Sequence, residues 1–220
     1  MLKALVFDMD GTLSDTDPFH IQAFARMLAP RGVMIDDDFY RERISGKSND
    51  EIARLLLPEA SSAEQEAFAA EKEALYRRLS ADGLQPAPGL IELLDWAARH
   101  DLATALVTNA PQANVGHTLT ALAMTERFAI QIAGGDVLRG KPDPLPYTTA
   151  LARLGVEPHE AIAFEDSLPG VQSAVAAGIP TVGVTTGQSE AALLDAGAAL
   201  AVGDFSDARL LSLLERASGN

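Results

Sequence analysis

Six short apolar runs, Leu2–Phe7, Leu102–Val107, Ala129–Ala133, Ala161–Phe164, Thr181–Val184 and Ala198–Val202, alternate with stretches of helical periodicity. That alternation constrains the chain more than anything else in it. Strands separated by helices are the pattern of a parallel sheet, because each parallel connection must travel back along the sheet before the next strand begins. The runs are continuous rather than polar at every second residue, as strands buried on both faces are. Between them, Leu90–Arg99 presents Leu90, Leu93, Leu94 and Ala97 at helical spacing, and Pro111–Ala123 reads as a helix with proline in its first turn. Pro144–Leu154 stops at Gly155, Val171–Ala177 closes at Gly178, and a last helix starts at Ser206.

The stretch from Thr16 to Gln85 breaks this rhythm. It holds no convincing strand, and its helical patterns are amphipathic and charge-laced, as in Glu64–Leu79. Alternation resumes near Pro86-Ala87-Pro88-Gly89. The expected fold is α/β: a Rossmann-like parallel sheet core with helices on both faces, formed by residues 1–15 and 86–220, and an inserted all-helical domain at 16–85. The linkers fall at Ser14–Pro18 and Gly83–Gly89. A length of 220 residues suits one core domain with a sizeable insertion. Asp36-Asp37-Asp38 reads as a helix N-terminus, where carboxylates suit the dipole.

Charge and composition narrow the partners. Asp and Glu total 31 against 17 Lys and Arg, a net charge of −14. Such a surface argues against nucleic acid or an anionic membrane, both of which call for basic patches. No cysteine is present, which removes disulfides, thiolate metal sites and a cysteine nucleophile. Asp8 and Asp10 cut the apolar start short of a signal peptide, and no run approaches the roughly 18 apolar residues of a membrane span. We therefore expect a cytoplasmic protein, a monomer or at most a weak dimer.

In an open parallel sheet, ligands bind at the carboxyl ends of the strands. The first strand ends in Asp8-Met9-Asp10-Gly11-Thr12, the second in Thr108-Asn109, and the fourth in Glu165-Asp166, while Arg139-Gly140-Lys141-Pro142 follows the third. Asp8 and Asp10 leave an extended chain on the same side. Crowding them with Asp166 raises a carboxylate pKa unless a cation is present, and a hard divalent ion such as Mg²⁺ removes that penalty. Such an ion also neutralises a phosphate enough for a carboxylate to attack it, with Lys141 and Thr108 holding the other phosphate oxygens.

Together these residues resemble the haloacid dehalogenase superfamily of phosphohydrolases. The match runs through Asp8-x-Asp10-Gly11-Thr12, Thr108, Lys141 and Glu165-Asp166 in order, with the helical insertion between the first and second motifs. Gly140-Lys141-Pro142-x-Pro144 and Phe164-Glu165-Asp166-Ser167-x-x-Gly170 bring it nearest to the phosphoglycolate phosphatase and β-phosphoglucomutase-like group. The resemblance implies an aspartyl-phosphate on Asp8, with Asp10 as general acid and then base. It implies Mg²⁺ held by Asp8, the Asp10 backbone carbonyl and Asp166, with Glu165 as a ligand or neighbour. It places Asn109 beside Thr108 and Lys141 around the phosphate. The carbon–halogen hydrolases of the family lack the second aspartate, so dehalogenation is not expected.

By the same resemblance the insertion is a cap that selects the leaving group. A histidine at the place of His20 contributes to cap closure in that group, although His20 could equally be structural. Gly46 and Lys47 lie in the expected substrate loop, where an arginine of the group is replaced by Asn49, and a cap lysine falls roughly at Arg78. Both departures weigh against a mutase handling bisphosphates. The reading is a phosphatase of a small phosphorylated metabolite, a sugar phosphate or a phosphoglycolate-like monoester. A hexose-phosphate mutase is the alternative, and a non-catalytic binding domain stands behind both. His100, His117 and His159 are read as structural or solvated. Gly135-x-x-x-x-Gly140-Lys141 approaches a nucleotide-binding loop but has Pro142 where a hydroxyl is required. Gly46-Lys47-Ser48 is likewise rejected, because Arg41 stands where that loop's first glycine belongs.

Overall fold

The structure, a computed structural model, describes residues 1–219. Six parallel strands, β1 (Ala4–Phe7), β2 (Ala103–Pro111), β3 (Ile130–Gly134), β4 (Ala161–Glu165), β5 (Thr181–Val184) and β6 (Leu200–Val202), form one sheet in the order β3-β2-β1-β4-β5-β6. Chain order reverses direction at β1, so the crevice between the carboxyl ends of β1 and β4 is the switch point of the sheet.

Period-two alternation divides the strands between two apolar layers. Leu5 and Phe7 of β1 face a layer with α5 (Leu90–Arg99), α6 (Gln112–Ala121) and α10 (Ala208–Ser218). Ala4 and Val6 face the other, with α7 (Leu145–Leu154) and α8 (Leu168–Ala176). Beneath the switch point Phe7 stacks on Phe164, ring centres 4.7 Å apart, which locks β1 to β4.

Between β1 and α5 lie α1 (Asp17–Leu28), α2 (Asp37–Arg43), α3 (Asn49–Leu56) and α4 (Ser62–Ser80), with no strand among them. They enclose their own apolar cluster, including Phe24, Leu28, Tyr40, Ile52 and Phe68. Asp36 caps α2 by accepting from the Phe39 N–H at 2.8 Å. Ser48-x-x-Glu51 and Ser61-x-x-Glu64 form capping boxes that start α3 and α4.

Several boundaries differ from the sequence reading. Pro111 ends β2 and precedes α6 rather than opening it, because the strand runs on beyond Val107. α8 starts at Leu168 instead of Val171, with Ser167 as N-cap accepting from the Gly170 N–H at 3.2 Å. A six-residue helix, α9 (Glu190–Asp195), was not anticipated, being too short to show a period. Among the described residues no helix is long and apolar enough to cross a membrane.

Candidate active site

Sheet register assembles the site. Phe7 pairs with Phe164 and with Leu106, so Asp8 emerges level with Glu165 and Val107. The Asp8 N–H donates to the Phe164 carbonyl at 2.9 Å, which keeps the two strand ends together past the last pair. Carboxylate oxygens of Asp8, Glu165 and Asp166 all lie within 4.8 Å of one another, and the three side chains are buried. Gly11 permits the sharp exit from β1: its φ is +76°, and a Cβ there would lie 2.1 Å from Asp166 Oδ2.

One cation stands among these acids. Lys141 Nζ is 2.5 Å from Asp8 Oδ1, 2.6 Å from Glu165 Oε1 and 2.7 Å from the Val107 carbonyl, which uses all three of its donors. Glu165 also accepts from Tyr147 Oη at 2.6 Å and from Ser167 Oγ at 3.3 Å. Its oxygens are therefore engaged in fixing Lys141, and it enters a metal site less freely than Asp8 or Asp166.

The electrostatics leave the cluster short of positive charge. Burial pushes the Asp8 carboxyl up to about 8, with Lys141 working against the rise and Glu165 adding to it. Asp166 is held well above its ordinary value by burial and by the charge of Asp8. Burial would lower Lys141, but Asp8 and Glu165 outweigh it and keep the ammonium above its ordinary range. Three buried oxygen donors with one shared cation fit a hard divalent ion such as Mg²⁺.

This yields a signed prediction. A carboxyl whose folded pKa lies above its unfolded one stabilises the fold at low pH and loses that contribution as pH rises through the folded value. The cation-free protein should lose stability between an ordinary carboxyl pKa of 3.8 and the raised value of about 8. Thermal unfolding with and without Mg²⁺ should show the larger gain in Tm at about pH 8 rather than about pH 5. An equal or larger gain at the lower pH would contradict the cluster as the binding site.

Asp10 stands apart from that trio. Its Oδ1 accepts from Thr16 Oγ1 at 2.8 Å and faces His20 Nε2 at 3.6 Å, so its carboxylate looks across the cavity toward the helices. Thr108, buried, accepts from the Ala110 N–H at 3.0 Å, and among the described residues its own proton meets no acceptor. It is oriented and free to donate. Both side chains line the cavity with Asp8, Lys141 and Asp166.

Asn109, Gly46 and Lys47 line the cavity, with contacts that the sequence did not show, and Arg78 does not line it. Asn109 clamps the Lys141 backbone, accepting from its N–H at 2.9 Å and donating to its carbonyl at 3.2 Å, and donates to the Gly46 carbonyl at 3.1 Å. Its side chain positions Lys141 and the cap loop rather than reaching for phosphate. Lys47 lines the cavity, but its Nζ turns back to the Arg43 carbonyl at 2.6 Å. Gly46 lines the cavity where the loop meets the core, and its φ of +75° and a Cβ contact of 2.6 Å with Ser167 Oγ leave no room for a side chain. Arg78 is exposed and lies outside the cavity lining. Lys72, six residues earlier and about 120° away around the helix, faces the cavity in its stead.

His20 does face the cavity, buried and stacked on Tyr76 with ring centres 3.9 Å apart. Sequence reasoning missed Glu73, Asn114, Asp17 and Tyr40, which line the cavity with it. Burial pushes Asp17 up to about 6, with His20 holding it back. One signal was available: Phe68, Lys72, Tyr76 and Ser80 recur every fourth residue, which places a charged residue on the buried stripe of α4.

A parallel α/β sheet with clustered acids and one lysine at its switch point defines a hydrolase-type site of the Rossmann-like class. The sequence profile described as haloacid dehalogenase-like hydrolase matches residues 5–184, and the chain belongs to that family. It is 34% identical over 200 residues, 90% of this chain and 92% of the relative, to the phosphorylated carbohydrates phosphatase of Thermotoga maritima. Over 196 residues, 89% of this chain and 92% of the relative, it is 33% identical to the validoxylamine A 7'-phosphate phosphatase of Streptomyces hygroscopicus subsp. limoneus. The crystal structure of CbbY from Rhodobacter sphaeroides in complex with phosphate superposes with a TM-score of 0.84 at 28% identity, covering 94% of this chain and 96% of that one.

Proposed function

We propose that the protein is a Mg²⁺-dependent phosphatase of a small phosphorylated carbohydrate or similar monoester, acting through an aspartyl-phosphate on Asp8. The observation that carries this reading is the pair of aspartates with opposite surroundings. Asp8 sits at the end of the central strand against Lys141 and Asp166, while Asp10 faces Thr16 and His20 across the cavity.

The steps follow from that split. A carboxylate oxygen of Asp8 attacks phosphorus, forming an O–P bond as the bond to the leaving oxygen breaks. Asp10 gives its proton to that oxygen. Asp10 then takes a proton from water, whose oxygen bonds to phosphorus while the bond to Asp8 breaks and inorganic phosphate leaves. Thr108 donates to a phosphoryl oxygen, and Lys141, its three donors held by Asp8, Glu165 and the Val107 carbonyl, contributes its charge beside it. Asp8 and Asp166, with Glu165 and the Asp10 backbone carbonyl nearby, would hold the Mg²⁺. When bound it supplies charge that lets one anion approach another.

Cations at the leaving-group end are already engaged: Lys72 with Glu73 at 2.6 Å, and Lys47 with a backbone carbonyl. That favours a substrate with one phosphate over the bisphosphate chemistry of a mutase. The purified protein with Mg²⁺ should release phosphate from hexose or pentose monophosphates within a broad panel of metabolites. No release from any monoester would sink the proposal, and conversion of β-glucose 1-phosphate to the 6-phosphate would replace it with the mutase.

A further inference from the structure

Away from the nucleophile, a second buried polar chain crosses the seam between the helices α1–α4 and the sheet core. Lys72 and Glu73, both buried, sit side by side on α4. Lys72 Nζ lies 2.6 Å from Glu73 Oε1 and 3.4 Å from His20 Nδ1. An ammonium has only donors, so Nδ1 is the lone-pair nitrogen and Nε2 carries the imidazole proton. That N–H faces Asp10 Oδ1 at 3.6 Å.

The other end is equally defined. Asn114 on α6 donates Nδ2 to Glu73 Oε2 at 2.7 Å, and its Oδ1 accepts from Arg77 Nη1 at 2.6 Å. A guanidinium cannot accept, so the amide orientation is fixed. The chain therefore starts in the core at Asn114, passes through Glu73, Lys72 and His20, and returns to the core at Asp10. It is complete only while the helices are seated on both ends. Stability does not call for it, since a buried ion pair is no better on balance than apolar residues of the same volume.

We propose that Asn114 and Glu73 are positioning residues for Asp10, acting on its carboxylate through Lys72 and His20. This rests on the reading of Asp10 as general acid. Glu73 holds the Lys72 ammonium, the ammonium fixes the tautomer of His20, and His20 aims its N–H at the Asp10 carboxylate.

Leaving-group dependence tests this, because a poor leaving group needs a proton and a good one does not. The kcat/KM of Glu73→Gln and Asn114→Ala is measured in Mg²⁺ on substituted phenyl phosphates of nearly equal size. In both variants the loss on phenyl phosphate should exceed that on 4-nitrophenyl phosphate at least tenfold, steepening the plot against leaving-group pKa. A loss of equal size across the series would overturn the proposal, since disturbed packing does not discriminate between leaving groups. Asp10→Asn, run alongside, must steepen the same plot. If it does not, the general-acid reading fails and the proposal falls with it; if only the two variants stay flat, the proposal alone fails. Either variant that keeps the Tm of the parent decides the matter when the other does not fold.

Discussion

Asp8→Asn should reduce phosphate release at least about a thousandfold, because an amide of nearly the same shape cannot attack phosphorus. The same change should make the cation-free protein more resistant to heat at about pH 9. Both effects have one origin. Burial holds the Asp8 carboxyl up at about 8, so at that pH the parent carries a buried charge that the fold resists. The amide carries none, and Lys141 keeps Glu165 at 2.6 Å and the Val107 carbonyl at 2.7 Å. Phosphate release and thermal unfolding in chelator would be measured on one preparation. Activity within tenfold of the parent would remove Asp8 from the nucleophilic role, and an unchanged Tm would contradict the strain assigned to its burial.

Lys141→Met should act in the opposite direction on stability. Lys141 is 3% exposed and, among the described residues, is the one cation touching both Asp8 and Glu165. Methionine fills much of the volume but leaves these buried carboxylates facing each other. Removing one partner from a buried ionic set destabilises by about 3–5 kcal/mol. In a chain of this length that lowers Tm by on the order of 10 °C. Catalysis should fall at least about a hundredfold as well, with the charge beside the transferred phosphoryl gone. Urea unfolding at about pH 9, above the value of about 8 to which burial raises Asp8, gives the stability term; a loss below about 1 kcal/mol would contradict Lys141 as the counter-ion of this pair.

The sheet and the core of the site were legible in the sequence because both are local. Each strand is largely apolar, and Asp8 follows β1 directly, Thr108 stands toward the end of β2, and Glu165-Asp166 lie at the end of β4. Their convergence needs only the parallel register that the alternation implies. The cap wall was not legible, because it depends on how a helix is rotated and docked. Arg78 and Lys72 differ by six positions on α4, enough to turn one to solvent and the other to the cavity. Lys47 stands where expected in the chain, yet its flexible stem returns to Arg43. Asn114 gave no signal, since its partner Glu73 is 41 residues away and on the other side of the seam.

One backbone contact reaches beyond the active site. The Ala87 N–H donates to the Leu13 carbonyl at 2.8 Å, so the chain leaves the core for α1 and returns from α4 at nearly the same point. To the sheet, the helices between are a long loop whose ends are already joined. Lengthening such a loop raises the entropy of closure only slowly, by about 0.6 kcal/mol per doubling. Insertions, deletions and reshaped helices there leave Asp8, Glu165 and Asp166 in register. The helical walls of the cavity are therefore free to vary while the strand-end residues stay fixed, because the clasp isolates the folding of one from the variation of the other.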